Sequence, residues 1–408
     1  MRFLLLSAFI FLLLSCQQPA ELRTGTWRGV ITLQEKELPF TFEIVKQENS
    51  YVAYLINSTE KILLDEVTVR GDSVTMVLHI FDAELRARMA GNELTGTFYK
   101  NYAPNASLPF SARFGDAYRF AKHVETSLEP NFAGKYQIEF TTTKDTYPSV
   151  GVIEQHGNHL TGTFLTPLGD YRYLEGNVVD NQLLLSTFDG NHAFLFIATL
   201  SGDSIRGDYY SGKSSHETFA GVKNVGARMP DPESLTYLKD GFDRIAFSFP
   251  DLKGNPVSPS DDRFKGKVLI LQIFGTWCPN CMDETRFLSQ WYAENHNRGV
   301  EILGLAYERK SDFNYATARV NKMVEKLQVP YDFVIAGLDD KLEAGKTLPM
   351  LNKVIAFPTT IMIGRDGKVK HIYTGFEGPG TGVYHEQFKE RFNLLVNELL
   401  SEKMTSIR

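Results

Sequence analysis

The sequence predicts a multi-domain protein: two tandem all-β antiparallel units on the N-terminal side and an α/β domain with a mixed sheet on the C-terminal side. Three observations carry this. From about residue 25 to 223, short alternating runs such as Thr41-Phe42-Glu43-Ile44-Val45 and Ser73-Val74-Thr75-Met76-Val77-Leu78 are punctuated by Gly, Asn and Asp turns. That stretch also carries a weak internal duplication. Beyond about residue 240, apolar runs alternate with helical patterns instead. The 408 residues leave room for two or three domains, and an aromatic content of 12% suits a β-rich part.

The duplication defines the β-units. Gly91-Asn92-Glu93-Leu94-Thr95-Gly96-Thr97-Phe98 recurs as Gly157-Asn158-His159-Leu160-Thr161-Gly162-Thr163-Phe164, and more loosely as Gly202-Asp203-Ser204-Ile205-Arg206-Gly207-Asp208-Tyr209. A turn dipeptide followed by an alternating strand is common hairpin chemistry, so part of this similarity is local. Longer-range order says more. Gly25-Thr26-Trp27 matches Gly134-Lys135-Tyr136, and Leu64–Val69 matches Leu174–Val179 at nearly the same separation. We expect β-unit 1 over 25–115 and β-unit 2 over 131–223, each a small barrel or sandwich. A helical connector over 116–130 is expected between them, around Asp116 to Leu128. No catalytic constellation shows in either unit.

Asn224 to Pro232 has the composition of a linker, assigned to 224–240. In the last domain, 241–408, Val268–Phe274 is an apolar run broken only by Gln272, of the kind buried on both faces of a parallel sheet. Met282 to Asn295 is helical, with Phe287, Leu288, Trp291 and Tyr292 on one face. Val300–Tyr307 reads as a strand, Phe313–Leu327 as a helix and Tyr331–Ala336 as a strand. A helical stretch leads to a strand ending at Ile363, and Arg365-Asp366-Gly367-Lys368 turns it into Val369–Tyr373. Tyr384 to Leu400 closes the domain as a helix with Phe388, Phe392, Leu395 and Leu399 on one face.

The chemistry is concentrated in Gly275-Thr276-Trp277-Cys278-Pro279-Asn280-Cys281, between the apolar strand and the helix. A Cys at a helix N-terminus faces unpaired backbone N–H groups and the positive end of the helix dipole, which favour its thiolate. The second Cys, about one turn inside, is placed to attack a mixed disulfide on the first. Pro279 suits the first turn, where its missing N–H is no loss. The pair reads as a thiol–disulfide centre. There are three cysteines and nine histidines in all. A zinc site needs at least two further ligands, and no His stands at a ligand spacing from the pair, so no metal is expected. The net charge of −6, with no basic block, gives no sign of a nucleic-acid partner.

The chain opens as a secretory signal peptide, 1–15. Arg2 is a minimal positive region, and Phe3 to Leu14 is an apolar stretch too short to span a bilayer. Leu13-Leu14-Ser15-Cys16 resembles the lipobox of bacterial lipoproteins, which implies lipid on Cys16 and a lipidated tether over 16–24. An ordinary signal peptide that happens to contain a Cys is the alternative. Gln17, where an Asp is associated with retention at the inner membrane, favours the outer membrane. The implied location is the cell envelope, facing the periplasm.

Residues 241 to 400 resemble the thioredoxin fold, in the TlpA/ResA-like branch of the AhpC/TSA–redoxin group. The matching residues are Phe247-Ser248-Phe249-Pro250-Asp251 with Gly254, Phe264-Lys265-Gly266-Lys267-Val268, Trp277-Cys278-Pro279-Asn280-Cys281, Phe357-Pro358-Thr359-Thr360 and Gly364-Arg365-Asp366-Gly367. The resemblance implies a C-terminal α/β thioredoxin fold, with Cys278 as exposed nucleophile and Cys281 as buried resolving thiol. Pro358 is implied to be the cis-proline beside the site; by itself it could be an ordinary strand-entry proline. Glu284 stands where this branch has an acid that exchanges a proton with the resolving thiol. Its other reading is a solvated first-turn Glu that stabilises the helix dipole. Trp277 is expected to shape the substrate surface and Phe357 to narrow the groove. Two departures matter: Gln272 replaces plain thioredoxin's buried acid, and Pro279-Asn280 supplies no charge between the cysteines. A moderately reducing centre follows, with the direction of electron flow open.

The reading is therefore an extracytoplasmic, membrane-anchored thiol–disulfide oxidoreductase, a reductase of protein disulfides with no cofactor beyond the Cys278–Cys281 disulfide. Its expected partners are protein thiols and disulfides, the membrane through the lipid anchor, and, by family analogy, a membrane thiol transporter as electron donor. A peroxidase fits less well, because the Thr-x-x-Cys spacing of peroxiredoxins is absent. The competing class is an envelope binding lipoprotein whose β-units hold a partner while the redox domain is auxiliary.

Overall fold

The structure, a computed structural model, describes residues 21–48, 50–123 and 130–402. The expected signal peptide, Cys16 and the first part of the tether lie outside the described residues. Strands β1 to β8 are Gly25–Leu33, Lys36–Gln47, Ser50–Asn57, Glu60–Arg70, Ser73–Leu78, Ala83–Ala90, Glu93–Lys100 and Leu108–Phe114. They form a closed antiparallel barrel, barrel 1, completed where β1 pairs with β8 and Trp27 stands opposite Phe114. Alternation sets which side chains go inside. In β6, Ala83, Leu85, Ala87 and Met89 are buried while Arg86, Arg88 and Ala90 are exposed. Trp27, Phe40, Phe42, Phe98 and Phe110 fill the interior.

Strands β9 to β17 are Gly134–Thr141, Thr146–His156, His159–Thr166, Gly169–Asp170, Leu174–Val179, Gln182–Phe188, Ala193–Ser201, Ser204–Ser211 and Ser215–Lys223. Their order is β10-β9-β17-β16-β15-β14-β13-β11-β12, and a further β10–β11 pairing closes the ring into barrel 2, with the short β12 outside it. The duplication is real at this level. Trp27 Nε1 donates to Arg23 O at 3.1 Å and Tyr136 OH to Phe132 O at 2.8 Å, the same four-residue step at the start of each barrel. The turn into β7 at Gly91 corresponds to the turn into β16 at Gly202, the looser of the two sequence matches. The closer match, at Gly157, is the turn into β11, elsewhere in the barrel. That likeness is hairpin chemistry.

The described part of the expected helical connector is not helical. Residues 116–123 contain no helix, and 124–129 lie outside the described residues. The backbone N–H groups of Phe120 and Ala121 donate to Asn177 Oδ1, at 3.1 and 3.3 Å, in place of helical carbonyls. The buried Arg119 reaches between the barrels to Pro39 O at 3.1 Å, Ile56 O at 2.6 Å and Glu175 at 3.0 Å. Phe188 of barrel 2 sits in the aromatic cluster of barrel 1, with ring centroids 4.7 Å from Phe40 and 4.9 Å from Phe98. The barrels are thus packed together.

The linker is fixed to the domain that follows it. Glu233 meets His371 at 3.0 Å and Arg391 at 2.5 Å, and Lys239 N donates to Met350 O at 2.8 Å. In that domain, β18 (Phe249–Pro250) and β19 (Pro256–Val257) form the entry hairpin. Then follow β20 (Val268–Phe274), α1 (Pro279–Asn295), β21 (Val300–Glu308), α2 (Phe313–Leu327) and β22 (Asp332–Leu338). The last elements are α3 (Lys341–Thr347), β23 (Thr359–Ile363), β24 (Val369–Thr374) and α4 (Val383–Ser401). The sheet order is β22-β21-β20-β23-β24, with β20 parallel to β21 and antiparallel to β23. This is the thioredoxin fold. Barrel 1 packs on α2, where Tyr315 OH donates to Asp82 at 3.3 Å and Lys326 pairs with Asp65.

Candidate active site

Every residue of β20 is buried, as its position at the centre of the sheet requires, and the strand delivers the chain to the CxxC turn. Gly275 is needed there, because a Cβ would lie 2.2 Å from Trp277 Nε1 and 2.7 Å from Tyr307 O. Thr276 is gripped by the buried Glu308, which accepts from its backbone N–H and its hydroxyl, both at 2.9 Å. Trp277 Nε1 donates to Tyr307 O at 2.8 Å. Cys278 is then the N-cap of α1, and its Sγ accepts from Cys281 N at 3.1 Å. The two cysteines are joined by a disulfide with Cα atoms 5.2 Å apart. Cys281 is fully buried.

Glu284 lies one turn further and is 1% exposed. It is no solvated helix-start residue. Its Oε2 accepts from Gln272 Nε2 at 2.9 Å and its Oε1 from Thr360 Oγ1 at 2.6 Å. Burial raises its pKa to about 7, against the pull of those two hydrogen bonds. Gln272, in the place of plain thioredoxin's acid, also accepts from Tyr331 OH at 3.0 Å, so the amide positions the carboxyl group. Glu308 is raised to about 7 as well, again by burial.

The Phe357–Pro358 bond is cis, and Phe357 O lies 3.4 Å from Cys278 Sγ. Trp277 and Phe357 meet edge to face with centroids 5.4 Å apart. Cys278 opens onto a cleft of about 280 Å³, which Trp277 and Phe357 line together with Tyr147, Tyr171, His192 and Phe194 of barrel 2.

Residues 225–387 match the Redoxin family. Among curated relatives of this redoxin domain, the thiol-disulfide oxidoreductase ResA of Geobacillus kaustophilus (strain HTA426) is 32% identical over 129 residues. That is 32% of this chain and 66% of that protein, so the chain spans just under two thirds of its length. ResA of Bacillus subtilis (strain 168) is 27% identical over 138 residues, 34% of this chain and 69% of that protein. Among solved structures, a thiol:disulfide interchange protein of the thioredoxin family from Chlorobium tepidum TLS aligns at a TM-score of 0.30 and 22% identity. It covers 39% of this chain and 96% of that one.

The structure brings Cys278, Cys281, Glu284, Pro358, Trp277 and Phe357 together around the redoxin domain's N-terminal helix turn. Cys16 lies outside the described residues. Two expectations are corrected. Cys278 is 6% exposed rather than an open nucleophile, because barrel 2 roofs it. The second β-unit, in which no constellation showed, lines the cleft at Cys278. Both residues between the cysteines are held by barrel 2: Arg172 Nη1 donates to Pro279 O at 3.2 Å, and Asn280 Nδ2 donates to Asp170 O at 3.0 Å. Gly169 gives Asn280 its space, since a Cβ there would stand 2.7 Å from Nδ2.

Arg172 is 3% exposed and joins all three bodies. It pairs with Asp283 of α1 and Glu60 of barrel 1, and its Nε lies 3.4 Å from Asp189. Asp170 accepts from Arg172 N at 2.6 Å and Gly378 N at 2.8 Å, and burial raises its pKa to about 7. Burial also acts on Asp189, but His192 and Arg172 outweigh it and bring that carboxyl group down to about 2. Asn191 Nδ2 donates to Trp277 O at 2.8 Å. These residues are scattered over 60–192 with no motif spacing. The one local signal was Asp189-Gly190-Asn191-His192, a polar turn that reads in sequence as an ordinary hairpin connection.

Proposed function

We propose that the protein is a thiol–disulfide oxidoreductase of the cell envelope that reduces protein disulfides through Cys278 and Cys281. The observation that carries this reading is the joined pair at the N-terminus of α1, beside cis-Pro358, in a domain that matches the Redoxin family. The name of these relatives, thiol-disulfide oxidoreductase, agrees with it.

In the reduced form, the Cys281 N–H and the dipole of α1 stabilise the Cys278 thiolate. The thiolate attacks one sulfur of the substrate disulfide, forms a mixed disulfide and expels the other sulfur. Cys281 then loses its proton and attacks Cys278 Sγ, which closes the enzyme disulfide and frees the second substrate sulfur as a thiolate. Glu284, buried one turn from Cys281 and titrating at about 7, is suited to take that proton. Trp277 and Phe357 bound the path to Cys278, and the substrate's backbone meets the protein at Phe357 and Pro358.

A Cys281→Ser protein, incubated with a disulfide-bearing protein, is expected to accumulate a mixed disulfide that dithiothreitol releases. Cys278→Ser is expected to form none. Equal trapping by both variants would sink the assignment of Cys278. The apolar leader and the lipobox-like Leu13-Leu14-Ser15-Cys16 support export and a lipid anchor, with Gln17 favouring the outer membrane. Cys16→Ala is expected to move the protein from the membrane fraction to the soluble fraction. An unchanged distribution contradicts the anchor. A reductase held in an oxidising compartment also needs a donor of electrons, for which a membrane thiol transporter is the class that fits.

A further inference from the structure

Barrel 2 places an Asp–His pair beside the reactive sulfur. The turn from β14 to β15 runs Asp189-Gly190-Asn191-His192. Asp189 is fully buried, and its Oδ1 accepts from the backbone N–H groups of Asn191 at 3.0 Å and His192 at 2.6 Å, which fixes the turn. Its Oδ2 lies 3.1 Å from His192 Nδ1. A carboxylate held ionised by Arg172 and His192 can only accept, so Nδ1 is the donor and Nε2 is the atom that exchanges a proton. The imidazole stacks on Phe194 with centroids 4.6 Å apart and is 30% exposed. Among the described residues, Nε2 makes no hydrogen bond.

The turn is fastened to the redox centre. Asn191 Nδ2 donates to Trp277 O at 2.8 Å, and the next residue on each side of that bond is His192 and Cys278. Both line the same cleft of about 280 Å³. A substrate sulfur that reacts with Cys278 must occupy this cleft. The buried acid, Glu284, is on the other side, against Gln272 and Thr360 under Cys281, and cannot serve the departing group there.

We propose that His192, oriented by Asp189, is the acid that protonates the substrate's leaving sulfur. The proposal rests on the thiol–disulfide reading above and adds the proton path to it. In the reduced protein, Cys278 is a thiolate, Cys281 a thiol and His192 an imidazolium. The Cys278 sulfur bonds to one substrate sulfur as the substrate S–S bond breaks, and the departing thiolate takes the Nε2 proton. The Cys281 sulfur then displaces the second substrate thiolate, and the proton given up by Cys281 accounts for the second thiol. Two electrons leave the dithiol, two protons leave Cys281 and His192, and one disulfide becomes two thiols. The preferred substrate follows from this. It is an alkyl disulfide such as cystine in a peptide, whose thiolate is a poor leaving group unless protonated.

The test uses the full-length protein, reduced with dithiothreitol and desalted, in single-turnover reactions with two disulfides. Bis(2-hydroxyethyl) disulfide releases a strongly basic thiolate. 5,5′-Dithiobis(2-nitrobenzoate) releases one that is stable without a proton. For His192→Ala we expect the ratio of the alkyl rate to the aryl rate to fall on the order of 10²-fold. Added imidazole, filling the space over Phe194, is expected to restore the alkyl rate. Equal losses with both disulfides and no rescue would assign His192 a structural role and overturn the proposal, as would no loss with either. A His192→Gln protein with an unchanged melting temperature keeps the comparison valid if the alanine variant is unstable. If the wild-type protein reduces neither disulfide, the oxidoreductase reading itself has failed, which is a separate result.

Discussion

A carboxyl group buried without a cation holds its proton tightly, and Glu284 is such a group. Unfolded, a Glu titrates near about 4.3; folded, Glu284 titrates at about 7. Between those values the folded state binds more protons, so this group makes the protein less stable as pH rises through that window. Glu308 acts in the same direction. Asp189, held down at about 2, does the opposite: its stabilisation is full above the unfolded value near about 3.9 and is lost only as pH falls below it. Glu284→Gln should therefore stabilise the protein at pH 8, on the order of 1–3 kcal/mol, and not at pH 4. The same variant should slow closure of the Cys278–Cys281 bond. Urea unfolding at the two pH values measures the first effect, and equal shifts at both would contradict the role of burial. Cys278, Cys281, Glu284 and Pro358 were legible because each sits in a local motif. His192 and Arg172 were not, since Arg172 meets Asp283, and the turn that carries His192 is tied to Trp277 through Asn191, only across the folded interface.

The elements of the redoxin domain were legible because apolar runs and helical faces are short-range patterns. Phe313–Leu327 was read with the bounds it has, and α1 begins at Pro279 with Cys278 as its cap, where the Cys-Pro step had placed the first turn. Residues 116–123 of the expected connector contain no helix for a reason no local pattern carries: Asn177 takes a backbone N–H group and Ile56 O the Arg119 side chain, both across the folded interface. The same non-local logic governs the first turn of α1. Arg172 satisfies Pro279 O and neutralises Asp283, so the charge cluster determines how barrel 2 meets the CxxC turn. Removing one member of a buried ion cluster leaves the others uncompensated, at a cost of about 3–5 kcal/mol. Arg172→Met should show a loss of that size in denaturant unfolding. It should also alkylate faster at Cys278 after reduction, as the barrel loosens over the sulfur. Full stability in the variant would show that the cluster does not hold the interface.

At the scale of the whole molecule, one hydrophobic cluster runs from barrel 1 through Phe188, Ala193 and Leu195 of barrel 2 into the redoxin sheet. Nothing in the sequence announced this, because the β-units and the redoxin domain each look complete by themselves. A shared core predicts shared unfolding. Fluorescence of Trp27 in barrel 1, isolated by replacing Trp277 and Trp291 with Phe, should report the same midpoint as loss of far-ultraviolet ellipticity. A separate early transition of barrel 1 would contradict it. A working reductase pair of Cys278 and Cys281 beneath barrel 2 must cycle between dithiol and disulfide. The decisive experiment is the reduction potential of that pair in the soluble 17–408 protein, read by thiol labelling in glutathione and dithiothreitol buffers. We expect full, reversible cycling at a value near or below about −250 mV, towards the thioredoxin end of the known range. A value above about −150 mV, or a pair that does not cycle, would contradict the account.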